Sequence, residues 1–208
     1  MKTDDVISRL AAEVAPVRRL PAPGVQWAVW LGISLAYLGA FTAVSGVRGD
    51  LAAVVGDPSF IGLTVLFTVM GVLAGYAAFV TSVPDRDLPA GVRWSLLLAS
   101  GISLGWLGLL GGTTPGCAPG HGLACAVHIF LLGILPTVVL VVALKRAAPA
   151  NLVGSGILIG LALNSLGAAA LQFACDNQDP LHLLVWHWLP GVVFAFAGIL
   201  LARRFLRW

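Results

Sequence analysis

Apolar positions fall into six continuous runs, at about 26–46 (QWAVWLGISLAYLGAFTAVSG), 59–82, 93–111, 125–144, 153–174 and 183–202. Each reaches the roughly 18 residues that an α-helix needs to cross the hydrocarbon of a bilayer. Within a run the apolar residues are contiguous and do not alternate with period two, which predicts helices and not the strands of a membrane barrel. Short joints rich in Gly, Pro or Asp separate the runs: VRGDLAAVVGDP, VPDRDLPAGV, the stretch CAPGHGLACAVH, KRAAPANL and CDNQDPLH. None has room for a soluble domain. The pattern predicts an all-α membrane protein, a bundle of six transmembrane helices over residues 26–208, after an aqueous segment at residues 1–25.

That first segment has its own pattern. Thr3 suits a helix N-cap, and Asp4 and Asp5 suit the positive end of the helix dipole. Val6, Ile7, Leu10, Ala11 and Val14 then recur at helical spacing, with Ser8, Arg9 and Glu13 opposite and Pro16 ending the run. A helix of about 12 residues is marginal alone in water, so it needs a surface to lie on. The membrane surface, helped by Arg9, Arg18 and Arg19, is one; a groove on a cytoplasmic protein is the other. Asp4, Asp5 and Glu13 precede the first apolar run and no clear cleavage site follows it, so this start is not read as a secretory signal.

Composition agrees with the runs. Of 208 residues, 59% are hydrophobic and 10% charged, against roughly 25% charged in soluble domains. The distribution of charge says more than the net value of +3. If the six helices alternate in direction, Lys2, Arg9, Arg18, Arg19, Arg86, Arg93, Lys145, Arg146, Arg203, Arg204 and Arg207 share one side, and only Arg48 lies on the other. The positive-inside rule then predicts that both termini are cytoplasmic. Trp27, Trp30, Trp94 and Trp208 fall near the ends of spans, where such rings favour the interface.

On this topology every Cys and His lies on the side opposite the basic residues: Cys117, His121, Cys125 and His128 around the third joint, Cys175 and His182 in the fifth, and His187 about one turn into the last span. Thiolates and imidazoles are ligands for zinc, copper and their neighbours. Cys125 and His128, at i and i+3, share a helix face. If spans four to six pack together, Cys175 approaches Cys125, and His182 or His187 supplies a third ligand. Asp176 and Asp179 stand nearby as oxygen ligands or as partners that orient an imidazole. A structural disulfide between cysteines of neighbouring joints is the competing reading in an oxidising compartment. For His121 a plain interfacial role fits best.

The spans carry no Asp, Glu, Lys or Arg near mid-depth, which argues against a pump or a proton-coupled transporter. Asn164 and Gln172 read as interhelical hydrogen-bond partners, and Gly71 with Gly75, Gly101 with Gly105 and Gly108, and Gly156 with Gly160 as points of close helix packing. Pro136 and Pro190 each remove a backbone donor and can kink their helices.

The opening MKTDDVISRLAAEVAPVRRL ahead of six spans, the cysteine that opens span four (Cys125), the basic KRAAP joint, the CDNQDP sequence at 175–180 and the terminal RRFLRW resemble the NrsF-type negative regulators of ECF sigma factor F. The resemblance covers nearly the whole chain. It implies an integral inner-membrane anti-sigma factor, not an enzyme, whose cytoplasmic N-terminal segment, here residues 1–22, holds the sigma factor. It also implies two periplasmic cysteines linked to heavy-metal response, which by position match Cys125 and Cys175. Cys117 and His121 depart from that pattern.

Joined to the residue reading, this predicts that a soft metal ion, copper ahead of zinc or cadmium, binds Cys125 and Cys175 with help from His128 and from His182 or His187. The altered bundle would then loosen the grip of Val6, Ile7, Leu10, Ala11 and Val14 on the sigma factor. The other expected contact is membrane lipid. No motif contacts nucleic acid directly, and none speaks to oligomeric state. A membrane thiol-disulfide oxidoreductase is the first rival, but no two cysteines have the C-x-x-C spacing such enzymes generally use. A small metal transporter is the second, and it lacks a polar path through the bilayer.

Overall fold

The computed structural model describes residues 3–13, 20–84, 86–111 and 119–207. Val14, Cys117 and the His121 side chain lie outside the described residues. Six helices are long and apolar enough to cross a membrane: Pro23–Ser45, Pro58–Thr81, Ala90–Leu109, Gly122–Ala147, Leu152–Leu171 and Pro180–Phe205. They correspond one to one with the six apolar runs, and no strand occurs among the described residues.

In chain order the elements are α1 (Thr3–Glu13), α2 (Pro23–Ser45), α3 (Leu51–Val54), α4 (Pro58–Thr81), α5 (Ala90–Gly111), α6 (Pro119–Ala147), α7 (Leu152–Leu171) and α8 (Pro180–His182). A π-helical segment (Leu183–Trp188) and α9 (Pro190–Phe205) complete the last span. Short polar side chains start three of these helices. The Asp57 carboxylate accepts from the backbone N–H of Ser59 at 2.7 Å and of Phe60 at 3.2 Å, with Pro58 at the first helical position. Asn151 caps α7 through Gly154 N–H at 2.8 Å, and Asp179 caps α8 through Leu181 N–H at 2.9 Å. Span six thus starts inside the joint predicted from sequence, three residues before its apolar run.

Helix α7 is the spine. Thirteen of its 20 residues are buried, against four of the 23 in α2. It packs on α4, α6 and α9. A Cβ at Gly156 or Gly160 would overlap the backbone of α9 at Ile199 and Ala195, so only glycine permits this approach. Gly75 lies under the Trp30 ring and Gly71 against Leu166. Gly101, Gly105 and Gly108 differ from the sequence expectation: a Cβ at each meets no atom within 4 Å, because that face of α5 has no helix opposite it among the described residues.

Side chains pin the peripheral α2. The indole N–H of Trp27 donates to the Val72 carbonyl at 3.1 Å, that of Trp30 to the Pro136 carbonyl at 3.0 Å, and the Tyr37 hydroxyl to the Leu131 carbonyl at 2.9 Å. Helix α6 runs through Pro136 without interruption. Asn164 makes the expected bond between spans, donating to the His187 carbonyl at 3.0 Å. Gln172 does not: its carbonyl oxygen accepts from Gln178 within the fifth joint at 3.1 Å, because α7 has already ended at Leu171.

Candidate metal centre

Three pieces of chain meet at one end of α7. Cys125 projects from the start of α6. Cys175 follows the last turn of α7, where its backbone N–H still donates to the Leu171 carbonyl at 2.8 Å. His182 ends α8 and His187 lies in the π-helical segment. Their donor atoms, one from each residue, all lie within 4.8 Å of one another. The two Sγ atoms are 3.5 Å apart, and Cys175 Sγ is 3.5 Å from His182 Nε2. At that separation the two sulfurs are not bonded to each other. Ligands about 2.0–2.3 Å from a tetrahedral ion stand roughly 3.3–3.8 Å from each other, so these two distances suit one shared centre.

The two histidines are the part that spacing alone does not bring together. Five residues along a regular α-helix turn the side chain by about 140°, which points His182 and His187 to different faces. The wider π turn, closed by Leu189 N–H donating to the Leu184 carbonyl five residues back at 2.9 Å, carries His187 round toward His182. Pro190 follows at once and supplies no N–H of its own. The imidazole centroids end 5.4 Å apart, edge to face.

Burial makes the cluster chemically pointed. Cys175 is 6% exposed, His182 1% and His187 0%. Among the described residues, His182 Nδ1 and both ring nitrogens of His187 have no hydrogen-bond partner. A buried polar group left unsatisfied costs about 1–3 kcal/mol, so several in one place point to a ligand that completes them. Two thiols and two imidazoles are the donor set of a closed four-coordinate soft-metal site.

A family model described as NrsF, negative regulator of sigma F, matches residues 10–208, taking in all four residues of the cluster. The chain belongs to the NrsF family. No curated protein and no solved structure matches it. Membership makes this NrsF chain a negative regulator of a sigma factor, an anti-sigma role with that sigma factor as partner.

Within the NrsF chain, the structure brings together four of the five ligands named from sequence and leaves His128 apart. Three residues along α6 rotate its side chain about 60° from that of Cys125. Its Nδ1 donates to the Ala124 carbonyl at 2.8 Å, and its ring meets Phe41 of α2 edge to face at 6.4 Å. The choice between His182 and His187 becomes both. Asp176 and Asp179 are not in the donor group; Asp179 caps α8, and the Asp176 carbonyl accepts from Arg48 at 3.0 Å. The Cys175 thiol is held well below the ordinary thiol range. A hydrogen bond from Cys125 is the main cause and the adjacent His187 adds to it, while burial opposes both.

Sequence reasoning missed Arg48. Beyond its carboxylate partner Asp50, it reaches the backbone on both sides of Cys175. The available signal was its isolation, as the lone basic residue on the Cys/His side of the predicted topology.

Near the start of the chain, α1 occupies Thr3–Glu13, and none of its residues is buried. Ile7 and Leu10 are 58% and 59% exposed.

Proposed function

We propose that this NrsF chain spans the bacterial inner membrane with both termini in the cytoplasm, holds an ECF sigma factor through α1, and releases it when Cys125, Cys175, His182 and His187 take up a soft metal ion on the periplasmic side. The observation that carries the reading is the convergence of four donors within 4.8 Å, with three imidazole nitrogens buried and without a hydrogen-bond partner among the described residues. The two-sulfur, two-nitrogen set favours zinc or cadmium ahead of copper, since both accept four such ligands in a tetrahedron.

Cys125 belongs to α6, Cys175 follows α7 and the two histidines open the last span, so one ion ties three spans together. A ligand moves an equilibrium only by binding one state better than the other. The metal-bound arrangement of these spans is therefore the one with the weaker hold on the sigma factor, and Ile7, Leu10 and their neighbours on α1 are the contacts that loosen. Nucleic acid is reached only through the freed partner.

Cadmium titration of the full-length protein in lipid nanodiscs tests the outer site. Cys125→Ser with Cys175→Ser is expected to abolish binding, and unchanged affinity would overturn the site. Deleting residues 1–24 is expected to abolish capture of the sigma factor. Retained capture would move the docking surface to another cytoplasmic joint.

The 3.5 Å between the two Sγ atoms also favours a second reading, thiol oxidation. Joining them as a disulfide gives up two protons and two electrons to an oxidant and removes both thiolates from the metal site. Release of the sigma factor by a mild thiol oxidant with no metal present distinguishes it.

A further inference from the structure

Arg48 sits just past the end of the first span. The chain leaves α2 at Gly46, whose φ of +98° is a conformation that side-chain-bearing residues rarely adopt. Two residues on, Arg48 N–H donates to the Phe173 carbonyl at 2.9 Å. The Arg48 side chain is 1% exposed, and burying a guanidinium is costly unless it is paired. Here Nε and Nη2 grip the two Asp50 carboxylate oxygens at 2.6 and 2.8 Å. Nη2 also donates to the Asp176 carbonyl at 3.0 Å. The guanidinium lies 5.9 Å over the Phe60 ring, which meets Phe173 edge to face. Phe173 and Asp176 bracket Cys175 in sequence. The first joint is thus tied to the loop of a cluster cysteine on both sides of the sulfur.

We propose that Arg48 is a positioning residue that couples the Cys175 loop to the outer end of α2. The proposal rests on the metal-release reading above and supplies its missing link to the cytoplasmic side. Helix α2 contributes no ligand, yet it is the span that leads back to the N-terminal segment. Its 23 residues form a rod about 34 Å long. Trp27, Trp30 and Tyr37 fasten that rod along its length, and Arg48 fastens the end nearest the cluster. When the loop adjusts around an ion, its Phe173 and Asp176 carbonyls move with it, and Arg48 carries the displacement to α2. A planar guanidinium can hold a bidentate carboxylate and a carbonyl together; a lysine ammonium keeps the charge but not the fork.

Coupling between two ligands is reciprocal, so if cadmium expels the sigma factor, the sigma factor weakens cadmium binding by the same factor. The test titrates the full-length chain in nanodiscs with cadmium(II), with and without purified sigma factor, in the wild type and in Arg48→Lys. In the wild type the ratio of the two cadmium affinities is expected to be about tenfold. In Arg48→Lys, one cadmium and the sigma factor each still bind alone, and the ratio falls below about twofold. An Arg48→Lys ratio equal to wild type overturns the coupling role and marks Arg48 as a structural staple, with metal release left standing. A wild type that binds no cadmium overturns the metal reading itself and this inference with it. Should Arg48→Lys bind neither ligand, Asp50→Asn is measured in the same way, since it frees the fork and keeps the guanidinium. A reduced ratio there supports the role, and an unchanged one overturns it.

Discussion

The Cys/His cluster and helix α1 are built on opposite terms. At the cluster, polar atoms are buried: His187 is fully enclosed, and its two ring nitrogens have no hydrogen-bond partner among the described residues. On α1, apolar atoms are exposed, with Ile7 and Leu10 more than half open and no residue buried. Both are unfinished by the ordinary rules of folding, in which polar groups find partners and apolar stripes are covered. They differ in what completes them. The cluster is held in shape by three spans and a π turn, so a small ion suffices. An 11-residue helix has no such frame, and only a surface of comparable size, protein or membrane, can cover its stripe. The lesson is that the two ends should fail independently when damaged and communicate only through the bundle between them.

That separation can be broken or sharpened in four ways. The largest effect is expected from Leu10→Asp, which places a charge in the middle of the α1 stripe. Loss of a central apolar anchor should weaken sigma-factor binding by about thirtyfold or more, measured by surface capture of the full-length protein, while cadmium affinity stays unchanged. A parallel loss of cadmium binding would show that α1 and the cluster are not separate units.

The converse experiment is His187→Ala. Outer-shell changes alone cost about 10–100-fold in metal affinity, so losing a ligand should cost at least the lower end of that range. Sigma-factor capture without metal should be unaffected. Equal cadmium affinity in this variant would leave His187 as a core histidine.

A smaller effect concerns pH. The Cys175 pKa is lowered by Cys125 and His187, so as pH falls below the ordinary thiol range Cys175 remains a thiolate that the metal can bind without displacing a proton. Two ordinary thiols would give a cadmium affinity that drops about two log units per pH unit in that window, and with Cys175 already ionised the slope should be nearer about one. Isothermal titration at several pH values reads it; a slope of two would remove the assigned thiolate. The smallest effect is expected from His128→Ala. Its ring faces Phe41 and its Nδ1 is engaged by Ala124, so cadmium affinity should stay within about twofold, and a larger loss would return it to the ligand set.

How much of this was legible in the residues differs from place to place. The six spans were, to within a few positions, because a run of that length in hydrocarbon has no alternative to a helix. Cys125 and Cys175 were singled out as neighbours, and their Sγ atoms lie 3.5 Å apart. His128 was chosen by the i, i+3 rule, which fixes its angle to Cys125 but says nothing of which neighbouring helix fills that angle. Spacing leaves His182 and His187 as alternatives, because a π turn leaves no periodic mark in LLVWHW, five apolar residues and one histidine. The glycines make the same point. Gly156 with Gly160 and Gly101 with Gly105 have identical spacing, yet one pair lies against α9 and a Cβ on the other meets no atom of the described residues within 4 Å.

By itself the sequence determined the apolar character of this protein and the number and length of its helices. These are local quantities, set by transfer of each residue between water and lipid. Which helix faces cross, how far the last span unwinds at Leu183–Trp188, and that Arg48 reaches both sides of Cys175 were decided by tertiary packing alone. In hydrocarbon an apolar surface gains little by turning toward another apolar surface, so rotation and contact follow from shape and a few hydrogen bonds, which the order of residues along one helix does not reveal.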